Sequence, residues 1–163
     1  MPSTPANNEM KSLVGGYAQT PGHLIRRAQQ AHAQLWAEMI PLDITGSQYS
    51  ILAALSVHGD LDQVTVGRLT SLDKSSLAEV ASRMAKRGLI ERSRDERDGR
   101  RRVLHITDEG VSAVTEAAPY LQRLGQRLLA PLDEGERAQF MDCLGRVGNL
   151  ANRELSRPRD RMP

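Results

Sequence analysis

Ten basic side chains fall within one short stretch: Lys74, Arg83, Lys86, Arg87, Arg92, Arg94, Arg97, Arg100, Arg101 and Arg102. Five acids share it, so it carries +5 while the rest of the 163-residue chain carries −3, for a net charge of +2. The chemistry this favours is electrostatic. A local positive field on a near-neutral protein marks a face that docks a polyanion. Asp95, Glu96 and Asp98 crowd arginines, which suits ion pairs better than acid–base catalysis. The chain has no phosphate-cradling glycine loop and no nucleophile elbow. His32, His58 and His105 lack metal-ligand spacing with one another or with Cys143. Neither an enzyme, a metal site nor a cofactor is expected.

The elements that must position this charge follow from spacing. Leu77, Val80, Ala81 and Met84 share one helical face, leaving Ser75, Ser76, Glu79, Ser82, Arg83 and Lys86 on the others. Asp73 caps this helix and Gly88 ends it. Two extended patterns follow, over residues 89–94 and 102–107, joined by a turn whose tip is Arg97-Asp98-Gly99-Arg100. A polar helix followed by an arginine-tipped hairpin suits duplex DNA, the helix in the major groove and the arm in the minor groove. Arg97 is the leading contact, its guanidinium matched to the negative potential of an A·T-rich minor groove, with Asp95 steadying it. Arg100, Arg101 and Arg102 read as phosphate contacts or strand-face charges. Arg83 can take a guanine edge bidentately, for ~1–3 kcal/mol of discrimination. Lys74 and Thr65 are expected to meet the sugar–phosphate backbone. Glu79 has two readings, a base contact or a cap partner of Ser76.

Upstream, Thr20 as cap and Pro21 at the first position open a helix whose Leu24, Ala28, Ala31, Leu35 and Met39 make a heptad-like stripe, stopped by Pro41. Such a seam pairs with another helix or with the chain's own core. Thr45-Gly-Ser-Gln48 is a capping box for a second helix closed by Gly59. Residues 59–62 read as a turn, and Asp62 caps a short third helix. That helix, the tight connection at Leu72-Asp73 and the polar helix form a helix-turn-helix. Downstream, Thr107 caps a helix with apolar Val111, Val114, Ala118, Leu121, Leu124, Leu128 and Leu129, which Pro119 is expected to kink or split. Asp133 and Glu136 open a last helix bearing Phe140, Leu144, Val147 and Ala151.

The expected fold is mainly α with a small β-hairpin wing, a winged helix-turn-helix flanked by helical elements. A disordered arm spans 1–19 and two helices 20–58. The DNA-binding region takes 59–107, the C-terminal helices 108–155 and a disordered tail 156–163. One cysteine fits a reducing cytosol, no apolar run approaches the roughly 20 residues of a membrane span, and no signal peptide is evident. Single-stranded RNA binding is disfavoured, because none of the five aromatics lies on the basic stretch.

These residues resemble the MarR family of bacterial transcription regulators from about Gly22 to Gly110. The most specific part runs from Asp95 through Arg97-Asp98-Gly-Arg100 to Thr107-Asp-Glu-Gly110. Leu72-Asp-Lys-Ser-Ser76, Lys86-Arg-Gly-Leu-Ile90 and Thr45-Gly-Ser-Gln48 add to it. The resemblance implies a cytoplasmic homodimer whose terminal helices intertwine, each chain presenting one winged helix to a half-site of a pseudo-palindromic operator. It gives Arg97 and Asp95 the wing roles described above. Gly22-His-Leu-Ile-Arg-Arg-Ala-Gln-Gln30 looks like members that control aromatic-acid catabolism, which suggests an aromatic carboxylate effector and a repressor. His23 and Arg27 stand one helical turn apart; with Arg26 they can clamp a carboxylate, and Tyr49 or Trp36 can cover its ring. The alternative for these five is ordinary surface charge and structural aromatics. The rival function is a winged-helix co-regulator or oxidant sensor without an effector. For the latter Cys143 is the candidate, although an apolar-patterned helix favours a buried, inert thiol there.

Overall fold

The computed structural model describes residues 16–94 and 101–154, with side chains described through residue 149. The chain divides into two compact units, residues 1–41 and 42–163.

In the first unit a 3-10 turn, Tyr17–Gln19, leads into helix α1, Pro21–Met39. Pro21 occupies the first turn, where its missing N–H costs nothing. Thr20 does not cap α1 through its side chain; its hydroxyl donates to the Tyr17 carbonyl at 2.8 Å instead. The 3-10 turn claims the hydroxyl, and it stands within the segment expected to be loose. Leu24, Ala28 and Ala31 of the heptad-like stripe are exposed, while Leu35 and Met39 are half-buried.

The second unit opens with α2, Gly46–His58, launched by the capping box: the Gln48 amide reaches Thr45 Oγ1 at 3.3 Å, and the Thr45 amide reaches Gln48 Oε1 at 2.9 Å. Gly59, at φ 75°, ends it, as only glycine does without strain. Strand β1, Leu61–Asp62, comes next, where the sequence suggested only a turn. Two residues are too short to show a period; they become a strand by pairing with Leu104 and Val103. Asp62 caps α3, Gln63–Thr70, and Asp73 caps α4, Lys74–Lys86. Strands β2, Ile90–Arg94, and β3, Arg102–Ile106, pair antiparallel, giving sheet order β1-β3-β2. Helix α5, Asp108–Leu128, and helix α6, Glu134–Glu154, complete the chain.

One core joins these elements. Ile51, Leu52 and Leu55 of α2, Val66 of α3, Leu77, Ala81 and Met84 of α4, and Ile90 and Leu104 of the sheet are all buried. Thr107 caps α5 by accepting from the Gly110 amide at 3.1 Å. A Cβ on Gly110 would collide with the Leu89 carbonyl, so the side chain must be absent for α5 to dock. The inward line of α5 then runs Gly110, Ala117, Leu124; Ala117 takes the buried place expected of Ala118, which is exposed. Pro119 does not split α5. It lies on the exposed side, where water can satisfy the Thr115 carbonyl that lacks its usual donor. Asp133 and Glu136 form the expected reciprocal cap of α6, both bonds at 2.9 Å. Phe140, Leu144 and Val147 of α6 are exposed, and so is Cys143, contrary to the buried thiol expected.

Candidate nucleic-acid interface

Helix α4 separates its residues as the periodicity requires. Leu77, Val80, Ala81 and Met84 are buried; Lys74, Ser75, Glu79, Arg83 and Lys86 are exposed, and Ser76 and Ser82 are half-buried. Burial of one face fixes the rotation of the helix, and so fixes which side chains a groove can meet. Its N-terminus is tightly organised. Asp73 Oδ1 accepts from the Ser75 and Ser76 amides at 2.9 and 3.0 Å, and the two serine hydroxyls donate to the carboxylate at 2.5 and 2.6 Å. The Ser75 hydroxyl, then the Ser76 hydroxyl and amide, hold this carboxyl far below its ordinary value of 3.8, against a small opposing effect of burial. Ser75 and Ser76, expected as contact residues, therefore have their hydroxyl protons committed to Asp73 and offer lone pairs outward. Glu79 is not the cap partner of Ser76. It pairs with Arg83 at 3.4 Å, one turn along the same exposed face.

Asp62 plays a second organising role that spacing alone missed in part. It accepts from the Val64 and Thr65 amides at 3.0 and 3.2 Å, from the Thr65 hydroxyl at 2.9 Å and from Arg101 Nη2 at 3.3 Å. Burial alone would raise its pKa, but the Thr65 hydroxyl and amide, Arg101 and the Val64 amide together lower it below 3.8. Thr65 thus serves the cap of α3, and Arg101, just before β3, ties the wing to that helix. The sequence points Thr65 to the sugar–phosphate backbone and Arg101 to a phosphate or a strand-face charge; neither expectation includes the bond to Asp62.

The wing strands carry a further tie. His105 Nδ1 lies 2.9 Å from Asp60 Oδ1, and its Nε2 lies 2.7 Å from Ser93 Oγ. With Nδ1 donating to the carboxylate, Nε2 accepts from the serine hydroxyl, so one imidazole links the approach to β1 with β3 and β2. At the end of the hairpin next to its connecting turn, Arg94 and Arg102 are direct cross-strand partners and both are exposed. Like charges placed opposite one another repel, and a phosphate between them reverses the sign of that interaction. Arg94 was not singled out, because its pairing depends on register. Arg97, Asp95 and Arg100 lie outside the described residues.

The proposed effector residues fall in different units. On α1, His23 is half-buried with its ring 4.7 Å from that of Tyr17; Arg26 and Arg27 are exposed, and Trp36 is half-buried with His32 6.0 Å away. Tyr49 is half-buried on α2. The Tyr17 contact was not foreseen. No group of three potential metal ligands occurs among the described residues, and no helix there is long and apolar enough to cross a membrane.

Comparison with known proteins places this geometry among transcription regulators. A family model described as MarR family matches residues 42–101. The transcriptional regulator HosA of Escherichia coli is 31% identical over 127 residues, covering 78% of this chain and 93% of HosA. Among solved structures, the PcaV transcriptional regulator of Streptomyces coelicolor, in complex with its natural ligand, is 46% identical with a TM-score of 0.78. That match covers 82% of this chain and 95% of PcaV. BpsR of Bordetella bronchiseptica, whose DNA binding is regulated by 6-hydroxynicotinic acid, is 28% identical with a TM-score of 0.78, covering 82% of this chain and 96% of BpsR.

Proposed function

From the premise that the chain belongs to the MarR family and is a transcriptional regulator of that type, we propose that it is a dimeric, ligand-responsive repressor in the cytoplasm. Its effector is an aromatic carboxylate. The observation that carries the DNA reading is the outer face of α4, where Lys74, Arg83 and Lys86 stand exposed beside Glu79 over a fully apolar buried face. Arg83 supplies base recognition, Lys74 and Lys86 supply phosphate contacts, and Arg94, Arg102 and the hairpin tip grip the adjacent groove. Two copies must hold their α4 helices about 34 Å apart to meet successive major grooves. The exposed apolar residues of α1 and α6 are the surfaces a second copy would cover.

The effector reading draws on PcaV and BpsR, one solved with its natural ligand and the other regulated by a heteroaromatic carboxylate. Arg26 and Arg27 give α1 the cations such an anion needs, with the His23 ring beside them in the sequence as a hydrogen-bonding group. A ligand releases DNA only if it binds the incompetent spacing more tightly, a coupling of typically ~1–3 kcal/mol. The test is fluorescence anisotropy on duplexes from the chain's own upstream region, with and without 6-hydroxynicotinate and related aromatic acids. Saturable binding to one duplex, weakened by at least one acid, supports the reading. Binding to none removes the regulator, and binding indifferent to all the acids removes the effector.

A second reading, oxidant sensing, gains from the exposure of Cys143. It requires peroxide to weaken DNA binding in the natural chain and not in Cys143→Ser.

A further inference from the structure

Arg87 closes the reader helix α4, and its guanidinium leaves that helix altogether. Its Nη2 donates to the Asp43 carbonyl and pairs with the Asp43 carboxylate at 3.1 Å, while Nη1 lies 3.5 Å from Gln48 Oε1. Gln48 Oε1 is also the acceptor that closes the capping box of α2 by taking the Thr45 amide at 2.9 Å. One planar fork therefore fixes the C-terminal end of the reader helix to the connection that follows α1 and to the first turn of α2. A shallow pocket of about 170 Å³, lined by Leu42, Ile44, Leu89, Ala113 and Glu116, opens beside Arg87 and Asp43. Three oxygens hold the guanidinium in place: the Asp43 carbonyl, the Asp43 carboxylate and Gln48 Oε1.

We infer that Arg87 is a positioning residue: it sets the angle at which α4 is presented, and it does so through its fork rather than its charge. The inference rests on the reading of α4 as the DNA-reading helix. It also supplies a route for regulation, because Asp43 lies just beyond α1 in the chain. A displacement of the 42–45 connection would be felt at the reader helix through this contact. The competing role is a plain phosphate contact, which a cation at the end of an exposed helix can make unaided.

Charge and geometry separate on substitution. Arg87→Lys keeps the cation but cannot span a carbonyl, a carboxylate and an amide oxygen together. Asp43→Asn removes a negative charge from an exposed side chain, so a simple field effect would tighten binding to a polyanion. The experiment uses the full chain and a duplex enriched from a random pool by the natural protein, with a scrambled duplex as control. The expected result for Arg87→Lys is roughly ten-fold weaker affinity for the enriched duplex, with little change for the scrambled one. Asp43→Asn should weaken enriched-duplex binding in the same direction by a smaller factor. Full affinity in Arg87→Lys, or tighter enriched-duplex binding in Asp43→Asn, overturns the positioning role. Failure of the natural chain to enrich any duplex instead overturns the reading of α4 on which the role depends.

Discussion

Arg83 and Glu79 pair in the free chain, so a base edge that takes the guanidinium must compete with a carboxylate already 3.4 Å away. Exposed pairs of this kind are weak, whereas a bidentate guanine contact discriminates by ~1–3 kcal/mol. Arg83→Ala should therefore flatten the preference for the enriched duplex by about ten-fold or more in competition anisotropy. Equal preference would place base reading elsewhere. The lowered pKa values of Asp62 and Asp73 set a pH dependence. A carboxyl that is more acidic folded than unfolded stabilises the fold above its unfolded value, and that contribution fades as pH falls through the folded one. Urea midpoints should be flat near neutrality and fall below pH 3.8, and Asp62→Asn should blunt the fall. The caps at Asp62, Asp73, Thr107 and Asp133 were legible because each bonds within a few residues of itself. The bonds from Arg87 to Asp43 and from Arg101 to Asp62 were not, because the fold joins residues 44 and 39 positions apart.

Helices announced themselves where one face is buried, and β1 did not, because a two-residue strand exists only through its partner β3. On α5 the buried places at Gly110 and Ala117 stand one position before the expected Val111 and Ala118, while Leu124 is buried as expected; at Gly110 only a residue without a side chain clears the Leu89 carbonyl. Gly110→Ala should destabilise the fold by about 1–3 kcal/mol, read as a lower urea midpoint, since a methyl cannot coexist with the Leu89 carbonyl. An unchanged midpoint would mean that α5 docks differently. The wing depends on a different device. His105→Ala removes the link from Asp60 to Ser93, and amide hydrogen exchange in β2 and β3 should quicken while α2 and α4 keep their protection. Uniform exchange across wild type and variant would show that the link is idle.

A single chain leaves apolar side chains of α1 and α6 in water, Leu24 and Ile25 on one, Phe140, Leu144 and Val147 on the other. Exposure of this extent is what an interaction surface requires. The sequence displayed both stripes without saying what covers them, since a heptad reads the same for an internal and an external partner. The account rests on two copies acting together on a double helix, so the most direct measurement joins assembly to recognition. Sedimentation of the natural chain and of Leu144→Glu is followed with and without the enriched duplex. The prediction is a dimer that takes up one duplex, and a variant that is monomeric and has lost its preference for that duplex. A natural chain that stays monomeric while binding the duplex at full affinity would contradict it.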